Sequence, residues 1–122
     1  MPKKILIVDD NEAVRRAVRF CLAEHTDWEI CGEAGNGKTA VEMVTDRQPD
    51  LIVLDLSMPV MGGLDAARHI SAIRPDLPII MFTMHSCDEL LKAAQKFGVK
   101  HVFPKSDGFG PHVMEMMRTL LT

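Results

Sequence analysis

Two short apolar runs in this chain each end in acid: Ile5-Leu6-Ile7-Val8 leads into Asp9-Asp10, and Leu51-Ile52-Val53-Leu54 leads into Asp55. Unbroken apolar runs of this length, rich in β-branched residues, suit strands covered by helices on both faces, as in a parallel sheet. Parallel strands share one carboxyl edge, where ligands of open α/β sheets bind. If the two strands are neighbours, three carboxylates crowd one spot. At about 5 Å and an effective dielectric near 20, each like-charge pair costs roughly 3 kcal/mol. Three pairs would cost on the order of 10 kcal/mol, comparable to the stability of a whole domain. Acids placed at such cost imply a bound cation, a raised pKa, or both.

The chain has 122 residues, which fits one domain spanning 1–122 around one real core. With 47% hydrophobic and 25% charged residues it has the composition of a soluble globular protein. A formal net charge of -3 supplies no basic field for nucleic acid or anionic lipid. Arg15, Arg16 and Arg19 cluster locally and are expected to form a solvated helix face. Cys21, Cys31 and Cys87 are odd in number and lack a Cys-x-x-Cys, which fits reduced thiols in a cytoplasmic protein. No apolar run approaches the roughly 20 residues that span a bilayer, so no membrane partner is expected. The nine methionines read as core filler. His25, His69, His101 and His112 lack metal-ligand spacing and read as structural.

Read in order, Lys3–Val8 is the first strand. Asp10 or Asn11 can cap a helix with the apolar stripe Val14, Ala17, Val18, Cys21 and Leu22. Trp28–Cys31 is a short second strand, followed by a Gly-rich turn and a helix carrying Ala40, Val41 and Val44 that Pro49 stops. Leu51–Leu54 is the third strand. A loop from Ser57 to Gly63 enters a helix with Leu64, Ala67 and Ile70. Ile79–Phe82 is the fourth strand, and a helix with Leu90, Leu91, Ala94 and Phe97 ends at Gly98. Val102 and Phe103 make a brief fifth strand that Pro104 marks as an edge. The last helix starts near Pro111 and turns Val113, Met116, Met117, Leu120 and Leu121 inward. Five strands alternating with five helices, joined by right-handed crossovers, make a doubly wound α/β sandwich.

The ordered set Asp9-Asp10, Asp55, Thr83 and Lys105 resembles the receiver domain of two-component response regulators. The resemblance covers essentially the whole chain, and its residues end the first, third, fourth and fifth strands. The stretch Leu51–Leu64 looks closest to the subfamily that carries a helix-turn-helix output domain. The resemblance implies a flavodoxin-like (βα)5 sandwich whose parallel sheet runs 2-1-3-4-5, which makes the first and third strands neighbours. It implies that Asp55 accepts a phosphoryl group from a sensor histidine kinase or phosphotransfer protein. Asp10, Asp55 and the Ser57 backbone carbonyl would hold Mg²⁺, with Asp9 acting through a bound water; oxygen-only ligands suit that ion better than zinc. Lys105 and Thr83 would meet phosphoryl oxygens. Such a protein speeds its own phosphorylation and dephosphorylation and is no turnover enzyme on an outside substrate. Its implied partners are the kinase and a C-terminal DNA-binding output domain beyond this chain, with room for a phosphorylation-dependent homodimer and no direct nucleic acid contact.

The chain departs from the family pattern at three positions. An aromatic three residues before the lysine usually rotates inward with the threonine; here it is Val102, and strand alternation sends Phe103 to the opposite face. The residue after Thr83, usually small, is Met84. Lys105 is followed by Ser106, where many receivers have Pro. Ser57 and His85 occupy the two positions that flank attacking water in the family, and they are expected to set the lifetime of the phosphoryl group.

Two other readings compete. Gly32-Glu33-Ala34-Gly35-Asn36-Gly37-Lys38-Thr39 fits the P-loop pattern between a strand and a helix, and Leu51–Asp55 passes as a Walker B strand, so a nucleotide hydrolase is one alternative. Against it, Trp28–Cys31 is alternating rather than wholly apolar, and Asp9, Asp10 and Lys105 go unexplained. A pseudo-receiver that keeps the fold without being phosphorylated is the other.

Overall fold

The computed structural model of the protein describes residues 2–24, 27–84 and 87–122. His25 and His85 lie outside the described residues. The elements alternate: β1 (Lys3–Val8), α1 (Glu12–Leu22), β2 (Trp28–Ala34), α2 (Gly37–Arg47), β3 (Leu51–Leu54), α3 (Gly63–Ile73), β4 (Ile79–Thr83), α4 (Asp88–Lys96), β5 (Val99–Pro104), a 3₁₀ turn (Lys105–Asp107) and α5 (Pro111–Leu121). All strand pairs are parallel, in the order β2-β1-β3-β4-β5.

The apolar runs are unbroken because each strand buries both faces. Leu6, Val8, Ile52, Leu54, Ile79 and Met81 face α2, α3 and α4, meeting Ala40, Val44, Ala67, Ile70 and Ala94. Their alternates Ile5, Ile7, Leu51, Val53, Ile80 and Phe82 face α1 and α5, meeting Val18, Leu22, Val113 and Met117. Each fully buried Leu, Ile or Met contributes about 1.5–3 kcal/mol of burial free energy, so shifting either run by one residue would trade the two faces. The helices begin where the side chains allow. Asn11, rather than Asp10, caps α1 by accepting from the amides of Ala13 and Val14, and Asn36 caps α2 through Thr39.

Four sequence expectations change. β2 continues through Gly32-Glu33-Ala34, and β5 runs from Val99 to Pro104. Periodicity missed the β2 extension because a bulge at Cys31 shifts the register: Ile5 pairs with Ile30, but Leu6 pairs with Gly32. Ala17 is exposed and, with Val14, Phe82, Met84 and Phe109, lines an apolar groove. Arg15 leaves the solvated face, half-buried against Glu33; Arg16, paired with Glu12, and Arg19, which also engages Glu33, stay exposed.

The loop between β3 and α3 is built on a close approach and a strained residue. A Cβ on Gly63 would sit 2.1 Å from the Asp55 carbonyl oxygen, while the Gly63 amide donates to the Leu56 carbonyl at 2.7 Å. Val60, 79% exposed, holds a φ of 67°, a left-handed conformation that costs a β-branched residue about 1–2 kcal/mol. Opposite outcomes are therefore expected from two substitutions in one loop. Gly63→Ala should destabilise by about 2–3 kcal/mol through overpacking, whereas Val60→Gly should stabilise by about 0.5–1 kcal/mol. Chemical denaturation of both variants measures this, and a neutral Gly63→Ala would show the approach to be looser than described.

Candidate functional site

The site forms where β1, β3, β4 and β5 end together. Val8 pairs with Leu54, so the residues that follow, Asp9 and Asp55, stand side by side. The Asp55 amide donates to the Val8 carbonyl at 2.9 Å, and the Asp9 amide donates to the Ala34 carbonyl at 2.9 Å. One carboxylate oxygen from each of Asp9, Asp10 and Asp55 lies within 4.8 Å of the other two, Asp9 and Asp55 buried and Asp10 exposed. Thr83 is buried at the tip of β4 and pairs with Pro104, the residue before Lys105.

Lys105 reaches across both buried acids. Its Nζ lies 2.7 Å from Asp9 Oδ2 and 3.4 Å from Asp55 Oδ2. The other Asp9 oxygen accepts from the Asn11 amide at 2.9 Å, and the other Asp55 oxygen accepts from the Leu56 amide at 2.8 Å. Burial, first, and repulsion from Asp9, second, hold the Asp55 carboxyl above its ordinary pKa, while Lys105 and the Leu56 amide pull it back. One ammonium does not neutralise three carboxylates. The set is short of positive charge, and its donors are all oxygens, which suits a hard cation such as Mg²⁺.

The modulating positions fall around this centre. Ser57 is exposed in the loop two residues past Asp55. Met84 is 69% exposed beside the tip of β4. Val102 packs half-buried toward the face of α2, α3 and α4, while Phe103 is buried on the other face, as alternation requires. Sequence reading missed Arg15, whose Nη1 donates to the Asp9 main-chain carbonyl at 2.6 Å. No sequence signal pointed to it, because Glu33, the half-buried carboxylate that holds it, reads as part of a turn until β2 is seen to run through it.

The P-loop pattern does not form a phosphate cradle. Gly32, Glu33 and Ala34 belong to β2, and Glu33 is held by Arg15 and Arg19. The Gly37 amide is already bonded to the Met61 carbonyl at 2.8 Å, and Lys38 is exposed. Gly37 is needed for packing, because a Cβ there would lie 2.6 Å from the Met61 carbonyl oxygen.

Residues 5–110 match the family described as response regulator receiver domain. The chain is 37% identical over 122 residues to the chemotaxis protein CheY of Halobacterium salinarum, covering 100% of this chain and 99% of that protein. It is 39% identical over 97 residues to the transcriptional regulatory protein YdfI of Bacillus subtilis, covering 80% of this chain and 45% of that protein. Several curated relatives are longer, and the chain spans 29% to 45% of their length. The response regulator domain of Thermotoga maritima CheB superposes with a TM-score of 0.90 at 23% identity, over 99% of this chain and 97% of that one, a likeness of fold.

The raised Asp55 pKa sets a pH dependence. Ionised Asp55 destabilises the folded state; that cost is complete above the raised pKa and vanishes as pH falls below the ordinary carboxylate value. Asp55→Asn in chelator should therefore raise Tm at pH 7 by roughly 3–6 °C, with the gain shrinking toward pH 4. Added Mg²⁺ should raise the Tm of the wild type more than that of the variant. Calorimetry that finds Asp55→Asn less stable at pH 7 would contradict the electrostatics described.

Proposed function

Because this chain belongs to the response regulator receiver domain family, we propose that Asp55 is its phosphoacceptor and that residues 1–122 act as one receiver unit. Receivers are regulatory proteins of two-component signalling that take a phosphoryl group from histidine kinases or phosphotransfer proteins. The observation that carries the assignment is the shared Lys105 over two buried acids at adjacent strand tips.

The Leu56 amide fixes one Asp55 oxygen, which leaves the oxygen on the Lys105 side to attack. In the transfer the new bond is Asp55 oxygen to phosphorus. The phosphorus–nitrogen bond of the donor phosphohistidine breaks, and its electron pair stays on the imidazole nitrogen. Lys105 would exchange its carboxylate contacts for a phosphoryl oxygen, and the Thr83 hydroxyl would donate to another. Receivers generally bind Mg²⁺ at an acidic pocket, and here Asp10, Asp55 and the Ser57 carbonyl would hold it. Exposed Asp10 would meet the ion directly, and Asp9, buried under Lys105, would act through a bound water. When bound, the ion neutralises charge on the transferring group. Ser57, Met84 and His85 would tune access of water and donor to Asp55.

The upstream partner would be a sensor histidine kinase or phosphotransfer protein. A DNA-binding output fits the likeness to YdfI, a transcriptional regulatory protein. Among the described residues no helix is long and apolar enough to cross a membrane, and three free cysteines fit a cytoplasmic setting.

Incubation with acetyl phosphate and Mg²⁺ should label the wild type and leave Asp55→Asn unlabelled, by intact mass. An unlabelled wild type would instead mark a pseudo-receiver. Val102 in place of the aromatic should weaken coupling to the face of α4 and α5. Beryllofluoride should therefore shift amides near Thr83 more than those of α4 and α5, and Val102→Tyr should enlarge the latter. Equal shifts in the wild type would refute weakened coupling.

A further inference from the structure

Arg15 lies on α1 with its side chain 20% exposed and contacts two separate strand ends. Its Nη1 donates to the Asp9 main-chain carbonyl at 2.6 Å, and its Nε donates to Glu33 Oε1 at 3.2 Å. The other Glu33 oxygen is taken by Arg19, so the carboxylate that aims Arg15 is itself fixed. Asp9 is thereby tied on both sides along the main chain: its amide to the Ala34 carbonyl at the tip of β2, its carbonyl to Arg15. That carbonyl belongs to the planar peptide joining Asp9 to Asp10. Pinning it fixes the rotation of the Asp10 amide and narrows the directions in which the exposed Asp10 carboxylate can project.

We propose that Arg15 is a positioning residue for the cation site, presenting Asp10 to it by holding the Asp9 carbonyl, with Glu33 aiming the guanidinium. The inference rests on reading Asp10 and Asp55 as Mg²⁺ ligands and deepens that reading. Its sign separates it from plain electrostatics. A guanidinium beside a cation site repels the cation, so charge alone says that removing Arg15 tightens Mg²⁺ binding. Loss of positioning says the reverse, since displacing the partners that orient metal ligands typically lowers affinity about tenfold or more.

The test is a Mg²⁺ titration of the whole chain followed by amide chemical shifts, alongside acetyl phosphate labelling across Mg²⁺ concentrations. Arg15→Ala should bind Mg²⁺ about tenfold more weakly. The loss should appear chiefly in the Mg²⁺ concentration for half-maximal labelling, and less in the rate at saturation. Arg15→Lys keeps the charge but cannot span both partners, and it should weaken binding at least about threefold; it also serves if the alanine variant does not fold. Arg16→Ala removes the same charge from the same helix at an exposed pair with Glu12, and it should bind like the wild type. Unchanged or tighter binding in Arg15→Ala, or an equal loss in Arg16→Ala, would overturn the proposal while leaving the phosphoacceptor reading intact. A wild type that binds no Mg²⁺, or an Asp55→Asn variant that binds it equally well, would overturn both.

Discussion

The ammonium of Lys105 shared between Asp9 and Asp55 is the contact on which the rest of the structure turns. Two carboxylates at the tips of adjacent parallel strands, both buried, are tolerable only with positive charge between them. Lys105 supplies one charge, from the end of β5, which two strands separate from β1. The chain order therefore has a purpose beyond topology. It brings the ends of four strands to one place and lets an acid pair built by β1 and β3 be balanced by a base from the edge. Because the balance is incomplete once Asp10 is counted, the site is left with an appetite for a further cation.

Holding such a site open requires the surrounding backbone to be rigid. Gly63 lets the start of α3 press against the Asp55 carbonyl, and Gly37 lets the start of α2 press against the Met61 carbonyl on the same loop. The loop between them keeps Val60 in a left-handed conformation, which the flanking contacts must overcome. On the other side Arg15 and the β2 tip clamp the Asp9 peptide. The acids are thus held by main-chain contacts from both sides, and their geometry owes little to the repulsion among them.

The fold was legible from the residues because burying both faces forces continuous apolar strands, and Ile5–Val8 and Leu51–Leu54 have no other good explanation. The strand order came from the family resemblance rather than from periodicity, which is silent on order. Asp9, Asp10, Asp55, Thr83 and Lys105 were legible as strand-end residues, and the structure brings all five to one sheet edge. What stayed hidden depends on contacts between distant positions. The extension of β2 through Glu33 could not be seen, since a charged residue beside a glycine reads as a turn until Arg15 and Arg19 are known to face it. The same blindness made a P-loop of Gly32–Thr39. Its glycines serve packing against Leu6, Met43 and the Met61 carbonyl, a demand that produces the same letters as a phosphate cradle.

Phosphorylation, on the proposed reading, would alter this balance in a definite direction. A phosphoryl group brings about two negative charges, so Lys105 would be drawn from Asp9 and Asp55 toward the new oxygens, and Thr83 along with it. Thr83 and Pro104 are register partners, so both pulls fall on the same pair of strands, β4 and β5. How far the disturbance spreads depends on what fills the space behind them. In this chain that filler is Val102, half-buried against the cluster beneath α2, α3 and α4. A valine has little reach, and its χ1 is stiff, so it cannot swing between two sites as a ring can. Phe103, the nearby aromatic, is buried on the face of α1 and α5. Motion started at Thr83 therefore finds no ring at position 102 to swing, which on the proposed reading weakens its spread toward the face of α4 and α5.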